Sequence, residues 1–146
     1  MTRKNTLSKV LELKGYEQEH LESQVRQVNE LLTVEKEKLQ SLERMLRKTD
    51  SRFNSCRDKE PVNITEMTLF YDYLSHLGRK IEEQKGVVLR LSSELEMKKT
   101  EMVEVYKEKR IFEKLRDQVV DEENRQIVKL EQKEADYNYL SKGLRR

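Results

Sequence analysis

Few side chains in this sequence have the type and spacing to do chemistry. There are two histidines, His20 and His76, and one cysteine, Cys56. A transition-metal site needs three or four such ligands converging on one point, and neither histidine has a cysteine or acidic cluster at ligand spacing. Both histidines therefore read as solvated or flanking residues. Glu82 with Glu83 and Glu122 with Glu123 are adjacent carboxylates that leave a helix in different directions, so they cannot share a substrate as acid and base. No glycine-rich phosphate loop, no cysteine pair and no serine or cysteine nucleophile beside a histidine occurs. The expectation is a protein without catalytic, cofactor-binding or metal-binding residues. Asn63, Ile64 and Thr65 spell a glycosylation acceptor, which matters only in a secreted chain.

Two clusters stand out as surfaces. Between Lys98 and Arg116, seven basic residues (Lys98, Lys99, Lys107, Lys109, Arg110, Lys114 and Arg116) outnumber four acids, with Tyr106, Ile111, Phe112 and Leu115 interleaved. Such a run is either a solubilising flank of a long helix or an electropositive surface that meets an acidic one. Phe70, Tyr71 and Tyr73 form the second cluster. Three aromatics in four residues cannot all face one direction on a helix, so at least one is expected to be exposed and available to a partner.

The elements that carry these clusters are set by a heptad seam. With Leu7 as a d position and Leu11 as an a position, the a and d sites out to Phe53 are apolar at ten of fourteen places, the exceptions being Lys14, Gln18, Glu35 and Thr49. A second seam runs through Met67, Phe70, Leu74, Leu77, Ile81, Val88, Leu91, Leu95, Met102 and Val105, interrupted by Gln84 and Lys98. A 3.5-residue period held this long specifies a helix packed along its length on another helix. Gly15, Gly78 and Gly86 fall inside the helices; they are either sites of close backbone approach or tolerated softness at about 1 kcal/mol each.

Composition agrees with an extended all-α protein rather than a globular one: 35% of the 146 residues are hydrophobic and 40% charged. Up to residue 60 there are 13 basic and 11 acidic residues, and 17 of each follow, so neither half is polarised toward nucleic acid or lipid. A lone cysteine and an N-terminus without an apolar signal core point to a reducing cytoplasm. No stretch approaches the length of a membrane-spanning helix.

The seams are broken once, at Arg57–Asn63, around the only proline, Pro61. The residue before a proline leaves helical geometry, and Asn63 three residues before Glu66 is a helix-capping pattern, flanked by Val62 and Met67 at staple positions. These features predict a first helix over about 4–56, a loop over about 57–63 and a second helix over about 64–142, within one coiled-coil domain. A short break between two such helices favours an antiparallel hairpin. Because a layers then meet d layers, facing residue numbers must add to about 116 or about 123. Beyond about residue 120 the second helix outruns the first, leaving Ile127, Leu130, Tyr137, Leu140 and Leu144 frayed or free for another protein.

Against this frame the chain resembles the FliJ family of flagellar type III export proteins and, more distantly, the stalk proteins of virulence-type secretion. LSKVLELKGYEQEHLESQV and VEKEKLQSLERML resemble the family's first helix. FYDYLSHLGRKIEEQ, residues 70–84, is similar to its aromatic-rich stretch, and VYKEKRIFEKLRDQ, residues 105–118, to its basic segment. The resemblance implies a non-enzymatic stalk, monomeric by itself, that links a hexameric export ATPase to a membrane export gate protein, with export chaperones as further partners. It places the protein in the cytoplasm, peripherally associated with the export apparatus of the inner membrane. Carried over by position, the gate contact involves Leu42, Met45, Tyr73 and Leu77, with Lys38, Thr49, Lys80 and Gln84 around them. Met45, Thr49 and Gln84 depart from the tyrosines and the histidine of the family pattern. The ATPase contact is expected from the basic segment, at Lys107, Lys109, Arg110, Phe112 and Lys114. The competing reading is a structural tether or scaffold, for instance a parallel homodimer, for which a capped break would serve no purpose. A basic zipper needs an uninterrupted basic region, and Glu108 and Glu113 interrupt this one.

Overall fold

The structure, a computed structural model, describes residues 2–59 and 61–144. It consists of α1, Arg3–Arg57, and α2, Ile64–Leu144. Thr2 caps α1: its hydroxyl accepts the amide of Asn5 at 3.3 Å and its carbonyl the amide of Thr6 at 3.2 Å. At the other break the Asn63 side chain accepts the Glu66 amide at 3.2 Å, so α2 starts directly after its expected cap. The reciprocal half of a capping box is absent. The Glu66 carboxylate instead takes the Cys56 thiol as a donor at 3.6 Å, tying the end of α1 to the start of α2. Val62, expected to staple over the cap, is exposed.

The fold is all-α, an antiparallel coiled-coil hairpin, and it divides into two compact units. One unit pairs residues 21–57 of α1 with the part of α2 up to Thr100. Its core is Val28, Leu32 and Leu95, with Val25, Val88 and Leu91 packed against them, and toward the turn Phe53 meets Phe70 edge to face at 6.4 Å. Phe53 and Phe70 have numbers adding to 123, as do Val28 and Leu95, so this unit adopts the larger of the two expected registers. The partners lie in one chain, as the antiparallel hairpin expects.

The other unit pairs α1 up to His20 with α2 from Glu101 onward. Leu11 and Val105 are its buried apolar residues. The Lys14 ammonium pairs with the exposed Glu108, and the Lys109 ammonium donates to the Gln18 side-chain oxygen at 3.2 Å, so each polar seam position here has a partner. Continuing along α2, every residue from Asn124 to Leu140 is exposed while remaining helical. This overhang continues α2 as an exposed helix.

Burial follows the seam. All eight buried hydrophobic residues (Leu11, Leu21, Val28, Leu32, Leu77, Ile81, Leu95 and Val105) occupy predicted a or d positions, and so does the buried Thr49. The glycines do not serve close packing. A methyl group at Gly15, Gly78 or Gly86 would meet nothing within 4 Å, which leaves the reading as local softness. Leu77, only 2% exposed, is the most enclosed seam residue, whereas Leu89 is 72% exposed. Leu77→Ala should cost about 2–4 kcal/mol in urea unfolding, with Leu89→Ala near neutral. Asn63→Ala should cost about 1 kcal/mol through loss of the cap.

Candidate functional site

The eight residues that resemblance assigns to a gate contact separate into two groups in the structure. Leu77 and Thr49 are buried, and Leu42 and Gln84 are half-buried; all four lie in the seam. Lys38, Met45, Tyr73 and Lys80 are exposed. Each of these four immediately precedes an a position (Leu39, Leu46, Leu74 and Ile81), and in an antiparallel pair such positions line one flank of the seam from both helices. Following the register, this flank alternates between helices as Tyr73, Met45, Lys80, Lys38, Val87 and Leu31. Met45 and Tyr73 are each nearly half exposed. The accessible part of the candidate site is therefore a flank bearing two side chains from the set Leu42, Met45, Tyr73 and Leu77, with two lysines beside them. Leu42 and Leu77 support it from inside.

Position-by-position carry-over misses Leu31 and Val87, although the heptad letter finds both. Leu31, 54% exposed, also lines a shallow groove on α1 with Gln27, Glu30 and Val34. The other aromatics near the turn behave as anticipated. Phe70 faces the seam against Phe53, which leaves Tyr71 and Tyr73 outside.

Behind this flank lies a polar interruption of the seam. The Gln84 side-chain amide donates to the Glu35 carbonyl at 2.9 Å and to the Glu35 carboxylate, and Lys38 pairs with the same carboxylate at 3.1 Å. The Gln84 hydrogen bond, followed by the Lys38 contact, holds the Glu35 carboxyl below its ordinary range. No buried side-chain polar atom among the described residues lacks a partner.

The basic segment is not uniform. Lys107, Arg110 and Lys114 are exposed, with Lys107 paired to Glu104 at 3.6 Å. Lys109 and Phe112 are half-buried seam residues, Lys109 through its bond to Gln18. Tyr106 and Ile111 add exposed apolar surface to the same stretch. Among the described residues no group of three or more His, Cys, Asp or Glu is placed to hold a metal ion. Among the described residues no helix is long and apolar enough to cross a membrane.

A family model described as the flagellar FliJ protein matches residues 3–139. The chain belongs to the FliJ family. That membership makes it a flagellar biogenesis and protein export component, of a family whose role is structural. No curated protein and no solved structure matches it. The match covers both helices, the turn, the exposed flank and the basic segment, along with most of the overhang.

The lowered Glu35 pKa has a defined sign. A carboxyl depressed in the native state contributes stability that is present above its unfolded-state pKa and is lost as pH falls through the native value. Glu35→Gln should therefore flatten the acid limb of a plot of melting temperature against pH, from the ordinary glutamate range downward. An unchanged acid limb would show that the Gln84 and Lys38 contacts do not act on this group in solution.

Proposed function

We propose that this chain is a non-enzymatic coupling stalk of the flagellar export apparatus, engaging a hexameric export ATPase through its basic segment and a membrane export gate protein through the flank of Met45 and Tyr73. The observation that carries the proposal is the family match across 3–139, on a chain whose helices pair internally and leave these two surfaces exposed. A cytoplasmic location beside the inner-membrane export machinery follows from the same reading, and the exposed C-terminal part of α2 is available to export chaperones.

The chemistry of each surface supports its assignment. Lys107, Arg110 and Lys114 with Tyr106 and Ile111 provide charge for long-range attraction and apolar area for short-range contact, suited to an acidic surface with an apolar centre. The flank exposes a methionine and a tyrosine, side chains common among residues that anchor interfaces, with Lys38 and Lys80 beside them.

Arg110→Glu with Lys114→Glu avoids the seam residues Lys109 and Phe112 and should leave helicity unchanged. It should reduce stimulation of the export ATPase and make residual binding less salt-dependent. Tyr73→Ala with Met45→Ala should weaken binding to the gate protein and spare ATPase stimulation. The assignment fails if the charge reversal leaves stimulation intact or if both variants share one defect.

A further inference from the structure

Apolar matching along the seam does not by itself select the observed register. In the unit formed by residues 21–100, the register adding to 123 sets five apolar pairs face to face: Val28 with Leu95, Leu32 with Leu91, Leu42 with Ile81, Leu46 with Leu77 and Phe53 with Phe70. A register one heptad away, adding to 116, would set six: Leu21 with Leu95, Val25 with Leu91, Val28 with Val88, Leu39 with Leu77, Leu42 with Leu74 and Leu46 with Phe70. A heptad slip keeps every side chain on its own face, so it carries no penalty of apolar exposure along the middle of the seam. Glu35 and Gln84 do not discriminate either. Four residues off register in the observed arrangement, they would be three off in the other.

The contacts that do discriminate lie elsewhere. Within this unit they are at the turn: the edge-to-face pair of Phe53 and Phe70, the bond from Cys56 to Glu66, and the Asn63 cap that starts α2 directly after Pro61. In the slipped register Phe53 would face Asn63, and α1 would run past the start of α2. Within the other unit they are the pairing of Lys14 with Glu108 and of Lys109 with Gln18, both of which a seven-residue slip separates.

We propose that the hairpin has two packing-competent registers one heptad apart, and that the turn between Arg57 and Ile64, assisted by the polar contacts of Lys14 and Lys109, holds it in the observed one. The displacement between the two is about 10 Å along the helix axis. Loosening the turn gives α2 freedom to slide on α1 without loss of helix, so the turn is the element at which a partner can control the register. Residues 21–100 include Met45 and Tyr73, which the slide would carry to new neighbours across the flank. That consequence rests on the proposed gate contact, whereas the register equilibrium does not.

The experiment uses the full chain with Cys56→Ser and two cysteine pairs. Val28→Cys with Leu95→Cys reports the observed register, and Val28→Cys with Val88→Cys reports the slipped one. With the turn at its native length, where a serine hydroxyl at position 56 can still donate to Glu66, mild oxidation should close only the first disulfide. After insertion of Gly-Ser-Gly-Ser following Lys59, combined with Lys14→Ala and Lys109→Ala, the second disulfide should rise to a yield comparable with the first. Circular dichroism should show helix content unchanged. If the lengthened chain still closes only the 28/95 pair, the seam itself sets the register and the proposal is wrong. If both pairs close with the native turn, the turn does not hold the register and the proposal is equally wrong. Neither result depends on any contact with an ATPase or a gate.

Discussion

Each of these two helices carries an apolar seam, and among the described residues it is the seam of the other helix that covers it. A two-helix layer buries side chains from one side only, so the best-enclosed residue, Leu77, keeps a trace of exposure and most seam residues are half-covered. Stability must accordingly be spread along the length, with each layer contributing a small share of the hydrophobic term. The rest of the architecture follows from that constraint. Among the described residues no side chain is fully buried, and the candidate surfaces are the flanks and outer faces.

Polar residues in the seam are tolerated because each finds a partner without leaving the interface. Lys14 reaches Glu108, Lys109 reaches Gln18, and Gln84 reaches both the backbone and the carboxylate of Glu35. These contacts cost packing area and return directional bonds, and those of Lys14 and Lys109 resist displacement along the helix where apolar layers are indifferent. Thr49 is a milder interruption. It is buried at a d position near the turn, and a short hydroxyl there disturbs the layer less than a charge would.

The same geometry separates scaffold from surface at the candidate sites. A residue just before an a position stands beside the seam and keeps part of its surface free, while the next residue in the chain is in the seam. Met45 and Leu46, Tyr73 and Leu74, and Lys38 and Leu39 are such neighbours, and a shift of one residue exchanges their roles. In the basic segment the division runs through the cluster itself. Lys109 and Phe112 serve the seam, and Lys107, Arg110 and Lys114 remain outside.

Much of this was legible in the residues because the heptad is a local property: its period determines which face of each helix is apolar, whatever that face later meets. The seam positions, the cap at Asn63 and the exposure of Tyr73 and Met45 all follow from spacing. The burial of Leu42 and Leu77 also follows, although resemblance by position had placed them at a contact surface. The register could not be read from the seam, since apolar residues repeating every seven match equally well after a seven-residue slip. Closure of the turn around Pro61 decides it, and that depends on Phe53 finding Phe70 and Cys56 finding Glu66 across the break. The partners of Lys14 and Lys109 belong to the same class, because a side chain's neighbour on another helix exists only once the two helices have been set side by side at one particular offset.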